Sequence, residues 1–135
     1  MPCILFIASP TMCSQYEEYH DCIRFDITYA LCKLRSGQGR PWGLGIFSGF
    51  LPSLSPVIFA IAFIRSEKEE DFKILWKIFF EQMVYIPSSI LIDQQVTNMN
   101  ALKQLKDEQN LNYVFLLDQF HMLQAIRKKL PHEHK

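Results

Sequence analysis

Apolar residues run together in some stretches of this chain and recur at helical spacing in others, and each stretch predicts an element. Residues 22–29, Cys22-Ile23-Arg24-Phe25-Asp26-Ile27-Thr28-Tyr29, are rich in β-formers and predict a strand. Ser36-Gly37-Gln38-Gly39-Arg40-Pro41 is turn chemistry. Pro41 to Ile64 then contains no charge over 24 residues, a length that can span a bilayer. Gly43, Gly45, Gly49, Pro52 and Pro56, with Ser48, Ser53 and Ser55 among them, break the run into Trp42–Phe47 and Val57–Ile64. Two strands joined by a turn explain it better than a membrane span. Both are apolar on each face, as in a sheet covered on both sides.

Ser66-Glu67-Lys68-Glu69 has the form of a capping box. Behind it Phe72, Leu75, Trp76, Phe79 and Met83 keep helical spacing, with Glu69, Lys73, Lys77 and Glu81 as a charged row. This predicts the longest early helix, over 67–85, ending before Pro87. Ser89–Ile92 is a short strand closed by Asp93. Met99, Leu102 and Leu105 mark a second helix that ends near Gln109-Asn110. Tyr113–Leu117 is a further strand closed by Asp118, and Phe120, Leu123, Ile126 and Leu130 form a third helix stopped by Pro131. The order β, β, β, α, β, α, β, α predicts an α/β mixed sheet of about five strands. The first three pair antiparallel; the later ones, separated by helices, run parallel, with 22–29 beside 89–92. That is the order of the ribonuclease-H-like fold. It reads as one domain over residues 1–130 with a charged tail, 131–135.

Charge and cysteine usage narrow the function classes. Lys+Arg and Asp+Glu both total 14, so the formal net charge is zero. The chain as a whole is therefore not a strongly basic nucleic-acid module. Its 49% hydrophobic content excludes intrinsic disorder. Cys3, Cys13, Cys22 and Cys32 form no C-x-x-C pair, and the histidines show no zinc-finger spacing, so reduced thiols of an intracellular protein are the expectation. Met1–Ala8 is apolar but lacks the positive start of a signal peptide.

Two acidic residues sit where strands disfavour them. Asp26 lies inside an apolar strand, and Asp93 ends one. If those strands are parallel neighbours, the carboxylates meet at one rim. Close carboxylates repel unless a cation lies between them, and hard oxygen donors suit Mg²⁺. A strand-edge Asp26 and a turn-forming Asp93 are the plainer alternatives.

The same residues carry a family resemblance. Phe6–Pro10, leading through Tyr16 and His20-Asp21 into Phe25-Asp26-Ile27-Thr28-Tyr29, resembles the "D-x-T-Y" strand of Mutator-like element (MULE) transposases. Val57–Ala60 and Glu69–Trp76 resemble that family's next strand and acidic helix, and Pro87–Asp93 its second aspartate. Asp118-Gln119-Phe120-His121, followed by Arg127-Lys128, resembles its "C-x-x-H", with Asp118 in place of the Cys. The resemblance implies a catalytic core that cleaves and joins DNA with two Mg²⁺ (or Mn²⁺) ions. Asp26 would be the bridging ligand and Asp93 would complete one metal site. His121 and Asp118 are accessory candidates. Transposon-end DNA, a homo-oligomer and a nuclear or nucleocytoplasmic setting follow by the same resemblance. Arg24, Lys33, Arg35, Arg40, Arg127 and Lys128 are the candidate DNA contacts.

The family's third carboxylate, a Glu, lies on a helix beyond the C-x-x-H, whereas Glu133 here stands in the charged tail. The expectation is a C-terminally truncated core that binds Mg²⁺ weakly and is inert alone. A domesticated, non-catalytic module that binds DNA or protein and regulates transcription is the competing expectation.

Overall fold

In the structure, a computed structural model, residues 4–28, 42–93 and 96–117 are described, Leu117 by its backbone alone. Along the chain they form β1 (Ile4–Ile7), α1 (Pro10–Tyr19), β2 (Cys22–Thr28), β3 (Gly43–Phe50) and β4 (Pro56–Ile64). There follow α2 (Glu69–Met83), β5 (Ser89–Ile92), α3 (Val96–Glu108) and β6 (Val114–Leu117). The expected third helix over 120–130 lies outside the described residues.

The strands make an open mixed sheet in the order β1-β4-β3-β2-β5-β6. β2, β3, β4 and β1 pair antiparallel in that sequence, and β2, β5 and β6 run parallel. The expected neighbours 22–29 and 89–92 pair from Cys22↔Ser89 to Arg24↔Leu91. The sheet has six strands rather than about five, because β1 adds to the free edge of β4. The uncharged run is the β3–β4 hairpin, closed by Leu54 N–H donating to the Leu51 carbonyl at 2.8 Å. Among the described residues no helix is long and apolar enough to cross a membrane.

α1 does not stand out in the hydrophobic pattern, and β1 lies within the apolar start Met1–Ala8. β1 is only four residues long, and Tyr16 is the one buried residue of α1. The readable signal was Ser9-Pro10: the Ser9 hydroxyl accepts from Met12 N–H at 3.1 Å, with Pro10 behind it in the first turn. The capping box expected at Ser66–Glu69 does not form. Lys68 is the N-cap of α2 and makes no side-chain cap; the Ser66 hydroxyl instead accepts from Lys68 N–H at 3.2 Å. Glu69, Glu70 and Asp71 in the first turn complement the helix dipole in its place.

All the described helices pack on one face of the sheet. There Phe47 stacks on Phe79 with centroids 4.3 Å apart, Phe6 meets both rings, and Tyr16 sits against Phe59 and Phe79. β3 makes room for these rings by turning Gly43, Gly45 and Gly49 inward beside Phe47. A shift in the β3–β4 register lies between Phe47↔Ala60 and Ser48↔Ile58, leaving Phe59 without a partner. This bulge turns both Phe59 and Ala60 inward, and both are fully buried. Deep in the core, Trp76 Nε1–H donates to Asn98 Oδ1 at 2.7 Å. The second cover expected from the two-sided apolar strands is not found among the described residues: the other face carries β3's Leu44 and Ile46 with no described helix over it.

Two buried phenols tie the helices down. Tyr16 donates to the Tyr85 carbonyl at 2.6 Å and Tyr113 to the Leu102 carbonyl at 2.5 Å. Burial pushes both hydroxyls well above the usual tyrosine range, with Asp107 adding to the shift at Tyr113. In the unfolded chain they ionise near pH ~10. Above that pH the unfolded state holds fewer protons than the folded one, so stability falls as pH rises. We expect the contribution of these two groups to be fully present below about pH 10 and lost above it. Urea unfolding midpoints measured across alkaline pH check this, and Tyr16→Phe and Tyr113→Phe should each flatten the decline. An equal decline in both variants would place its cause elsewhere.

Candidate metal centre

The C-terminal ends of β2 and β5 bring the two singled-out aspartates to the same end of the sheet. In β2, Ile23 and Phe25 are buried under the helices, so Arg24 and Asp26 belong to the opposite face. In β5, Ile90 and Ile92 are buried likewise, which assigns Leu91 to that same outer face. The recorded pairing ends at Arg24↔Leu91. Asp26 and Asp93 each lie two residues beyond it, Asp26 inside β2 and Asp93 one residue past the end of β5. Both are half-buried.

The chemistry around them is uneven. Arg24 Nη2 lies 3.1 Å from Asp26 Oδ2, with the side chains 27% and 39% exposed. Arg24 is therefore a countercharge to Asp26. That role was legible: residues two apart in a strand share a face, and these two carry opposite charge. Two carboxylates offer hard oxygen donors of the kind Mg²⁺ takes. Among the described residues no group of three or more His, Cys, Asp or Glu side chains is placed to hold a metal ion.

The remaining candidates, Asp118, His121, Lys33, Arg35, Arg40, Arg127 and Lys128, lie outside the described residues. β6 pairs with β5 up to Ile92↔Leu117, so Asp118 is the next position after the last pair.

Other concave regions are remote from the aspartates in the strand sense. A cleft of about 260 Å³ between Glu18, Tyr19, Asp21, Cys22 and Phe50 opens at the N-terminal end of β2. His20 belongs to α1's C-terminus, where it stacks on Tyr85 at 5.0 Å and its Nδ1 lies 2.9 Å from the Glu17 carbonyl. Those contacts make it a structural residue at the junction of α1 with the segment after α2.

Compared with known protein families and with curated proteins, the chain matches no family model and no relative.

Proposed function

We propose that this chain is a transposase-derived, ribonuclease-H-like core whose Asp26 and Asp93 hold a divalent cation for phosphodiester chemistry on DNA. One observation supports the reading: two aspartates, each two residues past the last recorded parallel pair, at the same end of adjacent central strands. The order β4-β3-β2-β5-β6, antiparallel up to β2 and parallel after it, supports the fold assignment. Mg²⁺ or Mn²⁺ bound there would polarise a phosphoryl oxygen and lower the pKa of a bound water. The chain's own residues set the terms. Asp26 and Asp93 supply negative oxygens at one rim, and Arg24 neutralises part of that charge until a cation arrives. Released from Asp26, its guanidinium is suited to a phosphate oxygen. His121 and Asp118 remain accessory candidates, with self-association and a nuclear or nucleocytoplasmic setting belonging to the same proposal.

Two carboxylates make a weak site, and the net charge of zero gives little non-specific attraction to DNA. The expected outcome is therefore cation binding without catalysis. Mn²⁺ titration followed by nuclear magnetic resonance should broaden signals around residues 26 and 93 first. Asp26→Asn combined with Asp93→Asn should abolish that localised effect. Broadening that survives in the double variant would remove the metal site. Incubation with nicked or terminal-repeat DNA and Mn²⁺ should give no cleavage; cleavage lost in both single variants would show a complete catalytic centre.

The Arg24–Asp26 ion pair favours a second reading, a non-catalytic DNA- or protein-binding module in which a built-in guanidinium takes the cation's place. Arg24→Gln separates the two. On the metal reading it removes a competing charge and should tighten Mn²⁺ binding severalfold. On the second reading Mn²⁺ binding stays absent and only stability falls.

A further inference from the structure

The cleft at the N-terminal end of β2 has one apolar wall and one acidic wall. The apolar wall comes from the end of β3 and the turn after it, where Phe50, Leu51 and Pro52 line the cleft. It belongs to the uncharged run Pro41–Ile64, and Phe50 is 56% exposed. Leu51 N–H donates to the Ser55 carbonyl at 2.9 Å, which ties the turn down. The acidic wall comes from the end of α1. Glu17 and Glu18 stand in its last turn, which holds no basic residue, and Asp21 follows closely. A helix C-terminus carries partial negative charge and favours cations, so carboxylates there are a local cost to stability. Glu17 is engaged, accepting from the Tyr85 hydroxyl at 3.2 Å. Glu18 and Asp21 line the cleft, and among the described residues neither forms an ion pair with Lys or Arg. The charge of Glu18 holds the neighbouring Tyr19 hydroxyl above the usual tyrosine range.

We infer that this cleft is the docking site for a partner's peptide segment in which an arginine stands beside an aliphatic residue. At about 260 Å³ it lies below the range of about 300–1,000 Å³ typical of pockets for whole small molecules. It suits one long side chain. An arginine stem can lie along Phe50, Leu51 and Pro52 while its guanidinium reaches Glu18 and Asp21. The aliphatic neighbour covers the exposed part of Phe50. Charge selects this occupant over an anionic ligand or an anionic lipid surface, either of which would meet two carboxylates and the negative end of a helix. The cleft lies toward the other end of β2 from Asp26, so the docking does not depend on a cation at the aspartate rim.

Titrating the full chain with the peptide acetyl-Ala-Leu-Arg-Leu-Ala-amide, followed by nuclear magnetic resonance, tests it. Amide shifts should move first at residues 18–22 and 50–52. Raising the salt from about 0.05 M to about 0.5 M should weaken binding severalfold. The same peptide with citrulline for arginine keeps the shape without the charge, and should bind severalfold more weakly. Glu18→Gln with Asp21→Asn should bring the arginine peptide down to the affinity of the citrulline one. Phe50→Ser should weaken both peptides, whereas Glu81→Gln, at an exposed acid of α2, should change neither; thermal unfolding shows that each variant is folded. Absence of binding, equal affinity for the two peptides, or shifts centred away from the cleft would each overturn the proposal. Shifts at the cleft that grow with protein concentration alone would assign it to a second copy, and would overturn it as well.

Discussion

Replacing Trp76 by Ala should cost more stability than any other truncation in the described core, about 4–8 kcal/mol. The indole is fully buried and meets Phe25, Phe47 and Phe79 edge-on at 5.4, 5.1 and 5.7 Å. Removing an aromatic of this size costs about 3–5 kcal/mol through lost transfer energy and the cavity left behind. The remainder comes from Asn98, which is 1% exposed and accepts the indole N–H. Stranding a buried acceptor adds about 1–3 kcal/mol. Since small domains are stable by only about 5–15 kcal/mol, the variant should stand close to the unfolding threshold. Urea unfolding gives the number directly. The two contributions separate in a double-mutant cycle, because Asn98→Ala should cost much less once Trp76 is gone. A loss below about 2 kcal/mol would mean that the aromatic cluster repacks freely.

Gly49→Ala should be the most damaging single-methyl addition, at about 1–3 kcal/mol. A Cβ at Gly49 would lie 2.6 Å from Phe59 Cε2 and 2.7 Å from Phe59 Cζ, with the Cys22 carbonyl oxygen at 3.2 Å behind it. The glycine is needed for close approach and not for backbone freedom, because its φ is not in the left-handed region. Phe59 has little room to retreat, being fully buried with Tyr16 edge-on at 5.2 Å. Phe59→Leu, harmful alone, should therefore partly rescue Gly49→Ala. Thermal unfolding of the four proteins checks it; strict additivity would sink the steric account. At Gly45 the neighbouring contact is Phe25 Cε1 at 2.8 Å, and Ala there should be milder.

The strongly patterned segments were legible in the sequence. The stripe Phe72-Leu75-Trp76-Phe79-Met83 forms the buried side of α2 as its spacing dictates, and the strand ending at Asp93 pairs parallel with the strand holding Asp26. Other features were masked by ambiguity that only packing resolves. The glycines between 41 and 64 read as turn punctuation, yet Gly43, Gly45 and Gly49 lie inside β3 and only residues 51–55 make the turn. Glycine in a strand marks either a break or a place where a ring must approach, and single-sequence periodicity does not distinguish the two. α1 hid because a helix that buries little but one tyrosine has almost no apolar stripe. Ser66–Glu69 misled because the helix starts at Glu69, two residues later than the motif implies, after Lys68 and not after the serine. At the rim, the residue types pointed to Asp26 and Asp93, while the guanidinium beside Asp26 emerges only when Arg24 is placed on the same face.

The bulge in β4 has a consequence for how this chain can change length. Strands normally resist loss of a residue, because a one-position slip exchanges their two faces. Here Phe59 is the extra residue against β3, so its excision would join Ile58 to Ala60, whose partners Ser48 and Phe47 are already consecutive. Val57 would stay inward and Ile58 outward, each with its present neighbour. The ladder would become regular, and what would vanish is the ring above Gly49. β4 is thus a strand in which a codon deletion damages the core without disturbing the register. Lineages carrying that deletion would be expected to hold a larger residue at position 49, filling from β3 the space that β4 no longer fills.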